Sequence, residues 1–99
     1  MPNEKVVLLL QTKVLPQYRA EILQAARANK LPTRAEPGVE AYYQTARKDD
    51  PNTLLFFVVF ASQDAHDFHM EQDYAKRTFA AFEGKLAEEP VYTNLSELN

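Results

Sequence analysis

Thr53-Leu54-Leu55-Phe56-Phe57-Val58-Val59-Phe60-Ala61 carries an apolar side chain at every position after the first. β-Branched and aromatic residues dominate it, which favours a strand over a helix. Successive side chains of a strand point to opposite faces, so both faces of this strand are apolar. The run is far below the ~20 residues needed to cross a bilayer. Upstream, Asp49-Asp50-Pro51-Asn52 has the composition of a hairpin loop. Before it, Val39, Ala41, Tyr43 and Thr45 alternate with Glu40, Tyr42 and Gln44, the pattern of a half-buried strand. Glu36-Pro37-Gly38 leads into that strand as a turn. Pro presets its first central position, and Gly offers the positive φ of a type II turn.

Further towards the start, Tyr18, Ile22, Ala25 and Ala26 recur at helical spacing and predict an amphipathic helix over 16–31. Pro16 suits its first turn, and Pro32 is expected to stop it. Residues 6–14, rich in Val and Leu, predict the first strand. Downstream, Ser62 is a good N-cap with Asp64 in the first turn. Ala65, Phe68 and His69 share one face of the helix that follows. Gln72-Asp73 caps a second helical piece with a stripe of Tyr74, Thr78, Ala81 and Phe82, and Gly84 and Lys85 lie near its end. After Pro90 the last strand is expected over 91–98.

The order strand, helix, strand, strand, helix, strand predicts a single domain over 1–99 of the α+β class. It is a ferredoxin-like βαββαβ fold, an antiparallel four-stranded sheet with its helices on one face. The other face of such a sheet normally meets water and alternates cleanly. Residues 54–61 and 6–10 do not alternate. Sheet-to-sheet packing in a homodimer would cover the apolar face that remains. Coverage of central strands by the chain termini is the alternative.

Composition narrows the function. The 99 residues suffice for one modest core. With no cysteine, disulfides, thiolate metal sites and a Cys nucleophile are excluded, in keeping with a reducing cytoplasm. A net charge of -3 without a basic run argues against nucleic acid as a partner. The start lacks a basic n-region, and its apolar stretch 6–10 is too short for a signal sequence. The expected location is cytoplasmic, with no membrane association. Gly38 and Gly84 are the only glycines, so no glycine-rich loop is available for phosphate or dinucleotide. No nucleophile-elbow motif supports Ser-His-Asp hydrolysis.

Glu36-Pro37-Gly38-Val39 leading into Tyr42-Tyr43, the Asp50-Pro51-Asn52-Thr53 hairpin, Ser62-x-x-Ala65-x-x-x-His69 and Tyr74-Ala75-Lys76 occur here in that order. In this the chain resembles the antibiotic biosynthesis monooxygenase superfamily over nearly its whole length. The resemblance implies a dimeric α+β barrel. It also implies a choice of activities: cofactor-independent oxygenation of quinols and polyketide aromatics, haem degradation, isomerisation of a phosphorylated sugar, or roles not yet known. The haem-degrading branch is similar in fold but uses Trp, which this chain lacks.

His69 matches the histidine that members resembling this chain place on the same helix, facing the cavity between helices and sheet. An inward imidazole is a candidate general base. The alternative is a core histidine satisfied by a backbone carbonyl. His66, His69 and Asp73 would suit a two-His, one-carboxylate iron site only if the helix turned Ala65 and Phe68 away from the core, so no metal is expected and His66 is read as facing solvent. Tyr43, Tyr74 and Phe68 are the candidate substrate contacts. Alternation allows only one of Tyr42 and Tyr43 to face the helices. Asn94 and Arg77 are further polar candidates. The expected activity is cofactor-independent monooxygenation of a small electron-rich aromatic, with His69 as base and no cofactor. The alternatives are a non-catalytic small-molecule-binding or stress-response dimer, and an isomerase of a small phosphorylated metabolite.

Overall fold

The computed structural model describes residues 4–98. Four strands, β1 (Val6–Lys13), β2 (Val39–Ala46), β3 (Thr53–Phe60) and β4 (Val91–Leu95), form one sheet in the order β2-β3-β1-β4. Every neighbouring pair is antiparallel. Between β1 and β2 runs α1 (Arg19–Ala35), entered through a 3-10 turn at Pro16–Tyr18. Between β3 and β4 run α2 (Gln63–Met70) and α3 (Asp73–Phe82). This is the ferredoxin-like α+β arrangement, with β3 and β1 at the centre, where the continuous apolar runs belong.

The register divides the sheet into two faces. Leu10, Phe56, Gln44 and Tyr92 lie side by side on the face towards the helices. Leu9, Phe57, Tyr43 and Thr93 lie on the other. Val14, Ile22, Ala26, Leu54, Phe56 and Phe82 pack into the core, where the Phe56 and Phe82 rings meet at 5.9 Å between centroids. The hairpin loop is fixed by Asp50, which accepts hydrogen bonds from the Asn52 N–H and the Thr53 hydroxyl.

Four local readings are corrected. The helix expected to stop at Pro32 continues through it to Ala35. Its last turn is held from outside: Thr33 is fully buried, and the Arg34 guanidinium donates two hydrogen bonds to the Tyr42 carbonyl. Tertiary contact here outweighs the one hydrogen bond proline removes. The alternation of β2 is broken only at its start, by a bulge between Val39 and Ala41; from Ala41 on it holds, with Tyr42 and Gln44 facing the helices and Ala41 and Tyr43 facing away. The last strand ends at Leu95 rather than 98, because Leu95 pairs with Val7 and β1 begins at Val6, leaving almost no partner beyond it.

Gly38 does not supply a positive φ; among the described residues only Gly84 does, at 73° just past the end of α3. Gly38 is needed for space. A Cβ there would stand 2.4 Å from the Ala65 Cβ, at the point where the turn after α1 touches α2. Gly38→Ala is therefore expected to destabilise the fold by about 1–3 kcal/mol, the usual cost of overpacking. Adding Ala65→Gly should restore much of the loss. Urea unfolding of the single and double variants checks this, and a wild-type midpoint for Gly38→Ala would contradict it.

Candidate active site

Ser62 caps α2 by accepting the Ala65 N–H at 3.1 Å. The Ala65–Gly38 contact then fixes the rotation of the helix. In that rotation Ala65, His66 and His69 turn towards the sheet, and His69 is 7% exposed. Phe60 of β3 packs against both imidazoles, edge-on to His66 at 5.2 Å and tilted to His69 at 5.5 Å.

Behind His69 lies Glu36, at the junction of α1 and the Pro37-Gly38 turn and also 7% exposed. Its Oε2 is 2.6 Å from His69 Nδ1 and accepts a 2.5 Å hydrogen bond from the Tyr74 hydroxyl. As a carboxylate Glu36 only accepts, so the Nδ1 proton points at it, which in the neutral ring places the lone pair on Nε2. The other oxygen, Oε1, is buried with no hydrogen-bond partner among the described residues. Leaving such a group unpaired costs about 1–3 kcal/mol or more.

Burial, followed by the hydrogen bond to Glu36 and its negative charge, pushes the Tyr74 hydroxyl up from 10.0 to about 12. Tyr74 thus remains a donor at neutral pH. The folded state holds this proton more tightly than the unfolded chain. Its contribution to stability is therefore complete below about pH 10 and is lost as pH rises through 12. In an ultraviolet phenolate titration, Tyr74→Phe should remove a late-ionising tyrosine and lessen the alkaline loss of stability. An unchanged late phase would show that Tyr74 titrates normally.

In front of His69, between the sheet and the helices, is a cavity of about 270 Å³. Leu8, Val58 and Phe60 form its apolar floor, Phe79 closes it from α3, and His66, His69, Tyr42 and Asn94 bring polar atoms to its wall. The Tyr42 hydroxyl is itself held, accepting from Asn29 Nδ2 at 3.1 Å and Gln44 Nε2 at 3.0 Å. Among the described residues, no three His, Asp or Glu side chains converge as a metal-ligand set. An imidazole with a free nitrogen, backed by a buried carboxylate and facing an apolar cavity, can take and return a proton.

The sequence model for antibiotic biosynthesis monooxygenase matches residues 5–81, most of the chain. The chain belongs to the antibiotic biosynthesis monooxygenase family. Glu36, His69 and Tyr74 all lie within the span matching that family, whereas Tyr92 and Asn94 of β4 lie beyond it. A candidate antibiotic biosynthesis monooxygenase of Caulobacter crescentus CB15 superimposes with a TM-score of 0.89 at 25% identity, covering 99% of this chain and 93% of that one. Rv0793 of Mycobacterium tuberculosis shares the fold at a TM-score of 0.89 and 24% identity, over 96% of each chain. The uncharacterized protein sll1783 of Synechocystis is 28% identical over 72 residues. The match spans 73% of this chain but only about half, 49%, of that protein.

Within this family member the expected site residues fall in different places. His69 lines the cavity. Tyr74 stands behind it, bonded to Glu36. Tyr43 is on the far side of the sheet, 56% exposed against Phe57, and Tyr42 takes the cavity side. Phe68 is 52% exposed at the outer edge of α2. His66, read as facing solvent, instead lines the cavity wall. Asn94 lines the cavity too, and Arg77 is exposed on α3. Glu36 was missed because in the sequence it reads only as the flank of a turn; its partners are 33 and 38 residues away.

Proposed function

We propose that this family member is a cofactor-independent monooxygenase of electron-rich phenols or hydroquinones, acting in the cytoplasm as a homodimer joined sheet to sheet. The observation that carries this reading is the His69–Glu36–Tyr74 hydrogen-bonded chain, centred on buried Glu36, with His69 facing an apolar cavity. Triplet oxygen reacts slowly with closed-shell molecules, and most oxygenases recruit a metal or flavin for that step. A phenolate can donate the electron itself. The protein must then supply a base, donors and a dry cavity.

In the proposed reaction His69 Nε2 takes the phenolic proton. The phenolate passes one electron to oxygen, and the resulting radical pair combines at a ring carbon to form a C–O bond. His69 returns its proton to the peroxide anion. It then removes the proton from the oxygenated ring carbon as the O–O bond breaks, and the leaving hydroxide departs with that proton as water. Phenol and oxygen thereby give quinone and water, one oxygen atom going to each. Glu36 stabilises the imidazolium formed at each protonation, and Tyr74 keeps Glu36 in place.

The test is oxygen uptake by the purified protein over a panel of phenols and hydroquinones, before and after dialysis against a chelator. The expected result is one oxygen consumed per quinone formed, unchanged by the chelator and without a flavin absorbance band. Binding of the panel with no oxygen uptake would overturn the reading in favour of a binding protein. Uptake that disappears with the chelator would overturn its cofactor independence.

A further inference from the structure

The His69 cavity opens beside a larger one of about 580 Å³, and Leu10, Phe79 and Tyr92 belong to the walls of both. Small-molecule sites usually span about 300–1,000 Å³. The His69 cavity alone, at about 270 Å³, holds little more than a reacting ring. The rest of any larger ligand would extend past Phe79 and Tyr92 into the second cavity.

That second cavity has a distinct chemistry. Phe82 and Leu86 make its inner wall apolar, while Glu83, Glu88 and Glu89 line it with carboxylates. Among the described residues none of these three has a cationic side chain within ion-pairing distance. Lys85, the cation next to them in sequence, is turned instead to Glu21 and to the Tyr18 ring. Thr12 lines the same cavity, is 1% exposed, and its Oγ1 has no hydrogen-bond partner among the described residues. Three exposed carboxylates without a cationic partner thus share the cavity with a buried hydroxyl. An alkylammonium brings three N–H donors and a positive charge.

We propose that the cavity lined by Thr12, Glu83, Glu88 and Glu89 binds a basic amine carried on the far end of an elongated aromatic ligand whose ring occupies the His69 cavity. Placement of the ring rests on reading the His69 cavity as the reaction site; the amine preference does not. An anionic tail would be repelled by the same carboxylates, so the cavity also discriminates against acids.

The probes are three naphthalenes alike except for a butylamine, butanol or butanoate tail, with binding measured by calorimetry at neutral pH and no turnover. The amine should bind about 10-fold or more tighter than the butanoate, the scale expected of a few partly exposed charge pairs. Combined Glu83→Gln, Glu88→Gln and Glu89→Gln should bring the two within about twofold. A charge-matched control, Glu4→Gln with Glu71→Gln and Glu97→Gln, should keep the difference. Thr12→Val should weaken the amine severalfold. Equal binding of amine and butanoate by the wild type would overturn the proposal. So would a preference that survives in the cavity variant, one that vanishes in the control, or amine binding unchanged by Thr12→Val. Because no oxygen chemistry is read, a protein that fails as an oxygenase still tests this site.

Discussion

His69→Gln is expected to lower turnover by about 10²–10⁴-fold, the usual contribution of a general base, while leaving the chain folded. Glutamine keeps the approximate length and a hydrogen-bond donor for Glu36 but cannot take up a proton at neutral pH. The substitution therefore separates proton transfer from packing. His69→Ala would mix the two, because it opens a void against Phe60 and leaves Glu36 Oε2 with Tyr74 alone. His66→Ala provides the comparison. His66 lines the same cavity, but its Nδ1 meets Gln63 and Asp67 near the surface rather than a buried carboxylate. Its loss should raise KM more than it lowers kcat. Wild-type turnover by a folded His69→Gln would make His69 a packing residue and leave the proposed oxygenation without its base.

The sequence shows the sheet more readily than the site because the two depend on different kinds of information. Strand 53–60 is apolar on both faces by composition alone, and its hairpin loop is marked by Asp50-Pro51-Asn52, so order and topology follow from local pattern. The rotation of α2 does not. Ala65, Phe68 and His69 form one helical stripe, and Ala65, His66 and His69 form another that overlaps it. The packing of α2 on the rest of the chain selects the second, putting His66 in the cavity wall and Phe68 at the surface. The choice between Tyr42 and Tyr43 likewise depends on a bulge, which one extra residue in β2 creates without any glycine or proline to announce it. Glu36 is the most distant from sequence reasoning. Its role exists only where α1, α2 and α3 meet, and nothing in Glu-Pro-Gly distinguishes a buried carboxylate from a solvated one.

Phe57→Lys is expected to dissociate the proposed homodimer. Phe57 sits in the middle strand of the face turned away from the helices, between Leu9 of β1 and Tyr43 of β2. Val7, Val59, Leu55 and Leu95 continue the apolar surface around it. A two-fold interface buries each such side chain twice, once per copy. Burial of one Phe is worth about 1.5–3 kcal/mol, so removing both would cost roughly 3–6 kcal/mol, or about 10²–10⁴-fold in the dimer dissociation constant. The lysine adds to this, since two ammonium groups would be carried out of water into a largely apolar seam. Position 57 points away from the His69 cavity, so the folded monomer should keep the Glu36–His69 pair and its ligand binding. Sedimentation over a range of concentrations, with circular dichroism to confirm folding, reads the outcome. A wild-type protein that sediments as a monomer at micromolar concentration, or a Phe57→Lys variant as dimeric as the wild type, would show that this face is not the seam.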